Sequence, residues 1–375
     1  MTRPGRLAAW LGGVVVATAA TWGMAAPTAT GGSPVEPGTS AGSSTYAAPR
    51  VLCTITDERL PEISGAAGIT DGLLVANDKL ADVFTLDDGC SVSGATRWRG
   101  PATEDATPAS DRDVEDLAVG PDGTVWLVDS GSNRVSRDDV SLLGLEPDGT
   151  STELVFTYPP GAARDVEAAL VTQDLQLVLL TKERGTSTVF TARLPAPDPN
   201  ADVTGPVELT AVGRLDVEAW ADPALGEAAL YLTGAALSPD GRHVAVRTAA
   251  EIFEWVVDGN DLAAELVDAE PTRVAFVEQR QGESITYTPD GSSLLALSEQ
   301  LPSPVLVVDI ERNGGSVGGG PVGVPRWGYG LLVGAAGALL LVLVVALWRA
   351  RTTSPEPLPD LDHAPDRAPD QVLIP

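Results

Sequence analysis

Between residues 50 and 312 apolar and polar positions fall into short strand-like runs punctuated by Asp-Gly and Pro-Asp-Gly, and a helical 3.6-residue period is not sustained. Five windows of equal length stand out: SGAAGITD from Ser64, EDLAVGPD from Glu115, EAALVTQD from Glu167, TGAALSPD from Thr233 and ESITYTPD from Glu283. Their starts are 51, 52, 66 and 50 residues apart. In four of the five, Gly follows the terminal Asp, the signal of a tight hairpin. A second short run then returns: LLVAND, TVWLVD, LQLVLLT, RHVAVRT and SSLLALS. Two more strand-like pieces follow each pair, as SLLGLEP and STELVFTYP do on either side of Asp148-Gly149. Four antiparallel strands at intervals of about 50 residues predict an all-β propeller of four-stranded blades.

Fourth-strand pieces follow four windows: GATRWRG, TELVFTYP, PVELTAVGRL and TRVAFVEQ. The last window has none, whereas VLCTITDERL at 51–60 lies upstream of the first, so the N-terminal strand is expected to complete the last blade and close the ring. Five blades are counted. A six-bladed alternative stays open, because a third DVE at Asp216–Glu218 lies in the longest gap, 51 residues after the glutamate of the second; Pro223, poorly tolerated within a sheet, ranks it second.

The flanks place this domain outside the cytoplasm. Residues 1–26 run from Arg3 and Arg6 through an apolar stretch to small residues at Ala25 and Ala26, the order of a secretory signal, with an uncleaved N-terminal anchor as the alternative because the apolar stretch is long. Residues 27–49 are Ser, Thr, Pro and Gly with scarcely a large apolar side chain and read as a linker. Residues 313–327 form a Gly-rich stalk before an uncharged run at 328–348, which at 1.5 Å per residue spans about 30 Å, a bilayer core. Trp327 and Trp348 flank that run, and Arg349 and Arg351 follow it, which orients residues 349–375 to the cytoplasm. The expectation is a single-pass cell-membrane protein with an extracytoplasmic propeller at 50–312. In that oxidising setting the only cysteines, Cys53 and Cys90, are expected to form a disulfide tying the closing strand to the first blade.

Charge narrows the partners. With 52 acidic and 24 basic residues the formal net charge is −28, which disfavours nucleic acid and suits divalent cations or cationic ligands. In a four-stranded blade the start of the first strand and the end of the second lie at the same face, so one channel mouth collects both sets. The starts are Ser64, Glu115, Glu167, Thr233 and Glu283; the ends are Asp78, Asp129, Lys182, Arg247 and Glu299. Asp113, Asp116 and Asp165 add to this funnel.

Two readings of the funnel follow. Its members pair with one another as structural polar groups, or Glu115, Glu167 and Glu283 converge on a divalent cation, Ca²⁺, which takes six to eight oxygen ligands. Lys182 and Arg247 argue against a bare metal cage and for pairing with carboxylates or an anionic ligand. The one histidine of the domain, His243, starts a strand after a turn and is expected at the surface, so a Ser-His-Asp hydrolase and a multi-His zinc site are both disfavoured. No Gly-rich phosphate loop or CxxC is present, and SPDG and TPDG at Ser238 and Thr288 need only be turns.

The stretches ISGAAGITDGLLVANDKLADVFTLD and DVEDLAVGPDGTVWLVDSGSNR resemble the bacterial exported propellers of the SdiA-regulated and esterase-like-activity-of-phytase families, and TGAALSPDGRHVAVRT is similar to propeller blades generally. The resemblance covers about 260 of the 375 residues and implies a propeller with a candidate Ca²⁺-dependent esterase or phosphatase activity, without assigning a catalytic residue. Two functions are therefore expected: a tethered module that binds or senses a peptide, glycan or envelope protein through its channel mouth or rim, or a Ca²⁺-dependent esterase, lactonase or phosphatase acting there on a small ester.

Overall fold

In the computed structural model residues 44–100, 112–131, 137–195 and 205–312 are described. The expected signal (1–26), the linker up to residue 43, the stalk (313–327), the apolar run (328–348) and the tail (349–375) lie outside them. Among the described residues no helix is long and apolar enough to cross a membrane.

Two strands, β1 (Ser44–Tyr46) and β2 (Arg50–Ile55), precede the first window. Blade 1 follows as β3 (Ile63–Ile69), β4 (Gly72–Asn77), β5 (Leu80–Leu86) and β6 (Val92–Arg97). Blade 2 is β7 (Val114–Val119), β8 (Val125–Asp129), β9 (Asp139–Leu145) and β10 (Ser151–Thr157). Blade 3 has β11 (Val166–Val171), β12 (Gln176–Thr181) and β13 (Ser187–Arg193); after β14 (Val207–Glu208) it ends with β15 (Thr210–Leu215). Blade 4 is β16 (Leu232–Leu237), β17 (His243–Thr248), β18 (Glu251–Val256) and β19 (Thr272–Phe276). Blade 5 joins β20 (Gly282–Tyr287), β21 (Ser293–Ser298) and β22 (Ser303–Arg312) to β2. The architecture is thus an all-β propeller of five blades with four-stranded cores.

Burial explains why these segments are strands in this order. The innermost strands are packed on both faces and read as nearly unbroken apolar runs, with all six residues of β11 buried. Outer strands alternate or open to solvent, as in β10 and β2. Between each blade and the next lies one apolar cluster, five around the ring, including the cluster that joins Leu295, Leu297, Val305 and Val307 of blade 5 to Val75, Phe84 and Leu86 of blade 1. Innermost strands approach so closely that a β-carbon on Gly65 would run into the backbone of Leu117 in the next blade.

At the far end of the innermost strands of blades 2 to 5 the hairpins are closed by their own side chains. Asp122 accepts from the Thr124 N–H at 3.0 Å, and Asp290 from Ser292 N–H at 3.0 Å. SPDG and TPDG are accordingly turns, with Gly241 and Gly291 at φ 70° and 68°. Where the third window lacks glycine, Leu175 occupies the left-handed region at φ 68°, a conformation that costs a branched side chain on the order of 1 kcal/mol.

Closure is as expected, with one addition. β2 runs antiparallel to β22 from Arg50 opposite Val307 to Ile55 opposite Ser303. Cys53 is bonded to Cys90, just past β5 of blade 1, with Cα atoms 6.0 Å apart, so the seam is also covalent. The addition is β1, which falls in the expected linker: Ser44–Tyr46 pairs with Ile310–Arg312. Tyr46 is fixed there because its hydroxyl donates to Glu254 at 2.7 Å, and Arg312 and Tyr287 hold the same carboxylate. The terminal strand thus adds one donor to a buried acceptor that blade 5 already holds.

The six-bladed alternative is overturned. The third DVE forms a short helix, α1 (Val217–Trp220), whose N-cap Asp216 accepts from Ala219 N–H, and Pro223 begins a 3₁₀ segment to Ala229. The longest gap is thus an insertion between blades 3 and 4, not a sheet. A second helix, α2 (Leu262–Asp268), buries Leu262, Ala263 and Leu266 in the cluster between the same two blades. The piece PVELTAVGRL is divided: β14 adds to the edge of blade 2 in parallel with β10, and only β15 belongs to blade 3.

A disulfide spanning 37 residues restricts the unfolded chain by roughly 4 kcal/mol on the chain-entropy relation. Cys53→Ala with Cys90→Ala is expected to lower the unfolding free energy by about that amount in a denaturant titration. An unchanged midpoint would show that the seam is held by pairing alone.

Candidate functional site

All five innermost strands share one irregularity. The register with the second strand slips between Ile63 and Gly65, Val114 and Asp116, Val166 and Ala168, Leu232 and Gly234, and Gly282 and Ser284. Each slip is a β-bulge whose extra residue is the first of the sequence window: Ser64, Glu115, Glu167, Thr233 and Glu283. A bulge re-aims the side chain it carries. The repeat in the sequence is therefore a repeat of bulges, and it brings these positions to one end of the channel.

The acids gather on blades 1, 2 and 3. Carboxylate oxygens of Asp78, Asp113 and Glu115 lie within 4.8 Å of one another, and so do those of Glu115, Asp165 and Glu167. Glu115, Glu167 and Asp78 are only 8%, 2% and 9% exposed. Burial comes first in lifting the Glu115 carboxyl to about 10, with the charges of Glu167, Asp113 and Asp78 adding to it. Asp113 is pushed up to about 7 by burial and then by hydrogen bonding and charge from Asp78. Glu167 is pushed up to about 8 by burial, in opposition to Lys182, whose Nζ lies 2.9 Å from Glu167 Oε2. Burial would lower the Lys182 ammonium, but Glu167 and Glu283 outweigh it and hold it raised. Glu283 is raised by burial and pulled back by Lys182 and Arg247. Glu299 reaches about 7 through burial and then Glu283.

Several oxygens in this mouth have no hydrogen-bond partner although they are buried: Ser64 Oγ, Asp78 Oδ1, Glu115 Oε1 and Glu167 Oε1. Orphaned buried acceptors cost on the order of 1–3 kcal/mol each, more for charged groups. The arrangement can relieve that cost by taking up protons or a cation. Gly131 leaves the room for it, because a β-carbon there would collide with the carboxylates of Glu115 and Asp113.

Other predicted residues are held differently. Asp129 is clasped by Arg112 and Arg137, each at 2.7 Å, and accepts from Asp113 N–H at 3.1 Å. Among the described residues Arg247 makes no salt bridge, although its charge acts on Glu283. It is wholly buried and donates to the carbonyls of Thr248, Ser284 and Leu297 and to Gln279, stapling blade 4 to blade 5, with burial bringing its guanidinium down to about 10. Thr233 turns its hydroxyl to the Gly282 carbonyl at 2.7 Å. Asp116 faces the interface between blades, accepting from Leu117 N–H and, across it, Ala169 N–H, both at 2.7 Å. Glu299 sits at the rim and accepts from Gln281 at 2.7 Å. Glu283 belongs to neither ligand-distance group, so the expected trio of Glu115, Glu167 and Glu283 is replaced by two groups that share Glu115.

One residue at the mouth, Lys79, was not anticipated. Lys79 Nζ lies 2.8 Å from Asp78 Oδ2 and 3.2 Å from Glu62 Oε2. Lys79 directly follows Asp78 in the turn, a position that reading strand ends alone passes over. His243 is not a surface residue, its side chain being only 12% exposed, yet it stays remote in role, 3.7 Å from Asp240 at a hairpin turn. At the opposite end the channel widens into a cavity of about 180 Å³ lined by residues such as Ala67, Ala118, Ala236 and Pro289, none of them charged.

No protein-family model matches the chain and no curated protein does either. The SdiA-regulated and phytase-esterase resemblance therefore finds no match in sequence, although the fold it implies is the one observed. Among solved structures, a Myxococcus xanthus glutaminyl cyclase aligns at 9% identity over 71% of this chain and 98% of that one, with a TM-score of 0.42. A Xanthomonas campestris gluconolactonase aligns at 14% identity over 73% and 99%, with a TM-score of 0.41. The propeller assignment rests on the chain's own five sheets.

Because the folded protein holds a proton on Glu115 up to about pH 10 whereas the unfolded chain releases it above roughly 4.3, the stabilisation tied to that proton is complete below pH 4.3 and fades as pH rises toward 10. Glu115→Gln in chelator is expected to melt a few degrees above the wild type at pH 8, the difference vanishing near pH 4. A difference independent of pH would mean that Glu115 is not strained by its neighbours.

Proposed function

We propose that this is a cation-dependent binding propeller, displayed outside the cell membrane on residues 328–348 with residues 349–375 in the cytoplasm. Its acidic mouth takes Ca²⁺ and through it engages the ligand. The observation that carries this reading is the pair of buried, partnerless oxygens, Glu115 Oε1 and Glu167 Oε1, on neighbouring bulges. Hard cations are the ligands that such a set of carboxylates suits, and the mouth opens to solvent on one side, as a cation that must also meet a partner requires. The partner is a peptide, glycan, envelope protein or small ester offering oxygen ligands; the acidic surface argues against nucleic acid.

A hydrolytic reading, an esterase, lactonase or phosphatase, draws on a specific feature. Asp113 and Glu299 are lifted to about 7, the range in which a carboxylate serves as a general base toward water at a metal. Binding is preferred because no nucleophile paired with a base meets at the mouth among the described residues.

Millimolar Ca²⁺ is expected to raise the melting temperature by mass action, and Glu167→Gln to remove that response. A melting temperature indifferent to both Ca²⁺ and chelator rules out the cation. Turnover of simple esters or lactones that is lost with chelator and in Glu299→Gln would move the assignment to hydrolysis. For topology, protease added to intact cells should remove the propeller and spare an epitope on the tail; loss of both refutes the anchor.

A further inference from the structure

Resting on the cation-binding reading above, we infer that the mouth holds two divalent cations side by side, bridged by the carboxylate of Glu115. The two ligand-distance groups, Asp78 with Asp113 and Glu115, and Glu115 with Asp165 and Glu167, have only Glu115 in common. Each group has its own buried oxygen without a partner: Asp78 Oδ1 in the first and Glu167 Oε1 in the second, on side chains that are 13% and 2% exposed. The two orphans are thus independent signs of two separate ligands.

The lysines are placed to match. Lys79 holds Oδ2 of Asp78 and leaves Oδ1 free; Lys182 holds Oε2 of Glu167 and leaves Oε1 free. Each ammonium group fixes one oxygen of a flanking carboxylate, and neither reaches the other oxygen. One lysine thus stands at each end of the arc. Between them Glu115 keeps its own Oε1 unpartnered, beside the space that Gly131 leaves open. A carboxylate has two oxygens and can serve both ions at once.

The test is the stoichiometry of Ca²⁺ alone on the purified full chain, by calorimetric titration and native mass spectrometry. Two ions per chain are expected for the wild type. Asp78→Asn and Asp165→Asn should each retain one ion, and Glu115→Gln should weaken both by at least tenfold. One ion in the wild type, with Asp78→Asn binding as tightly, overturns the bridge and leaves the single-cation reading standing. No Ca²⁺ bound at all overturns both. The wild-type count needs no variant, so a substitution that impairs folding does not leave the question open.

Discussion

Five innermost strands must pass around one axis, and how closely they approach governs the rest of the molecule. Near the axis there is room only for backbone and small side chains, which is why Gly65 abuts Leu117 and why alanines crowd the uncharged end of the channel. The large apolar side chains are displaced outward into the five clusters between blades, where Trp98, Phe156, Phe190, Phe253 and Trp255 are buried. A longer side chain can point along the axis only where a strand yields an extra residue. The bulges supply that residue at one end, where the carboxylates of the channel gather.

Those bulges set a second tension. Blades 4 and 5 resolve it through the Thr233 hydroxyl, the Arg247 guanidinium on backbone carbonyls and the charge of Lys182, from blade 3, on Glu283. Blades 1 to 3 do not, for their carboxylates outnumber the nearby ammonium groups and several oxygens remain without donors. Asymmetry among nominally equivalent blades is thus where the structure departs from a self-satisfied polar ring. An interior that leaves buried charge uncompensated is costly, and such cost is commonly concentrated where a ligand is to supply the missing half.

Much of this was legible beforehand. Equal-length windows ending in Asp-Gly are a direct print of hairpins at fixed spacing, so blade number and the closing strand could be read from the order of residues. That Ser64, Glu115, Glu167, Thr233 and Glu283 occupy equivalent positions was legible too, though not that a bulge is what turns them. What escaped was direction. Asp129 and Arg247 stand at strand ends like Asp78 and Lys182, and nothing in their neighbours along the chain tells that one is drawn to Arg112 and the other to carbonyls of the next blade. The stray β14 and the helix at Val217–Trp220 escaped for a related reason, since short segments take their structure from what they happen to lie against. Ser44–Tyr46 looked like linker because its order comes from Glu254, far away in sequence.

The pairing of Ser44 with Arg312 means that the chain enters and leaves the ring at one point on blade 5. A pull between those two points loads the seam like a zipper, one rung at a time, rather than shearing all rungs together. β1 parts first, then β2 from Arg50 onward, until the strain reaches Cys53 and its covalent link into blade 1. The opening stops there, at the rim, with the innermost strands undisturbed. Mechanical load on the two ends of the domain is thus spent on its outermost strands, and the bulge end of the channel keeps its geometry while the edge of the propeller gives way.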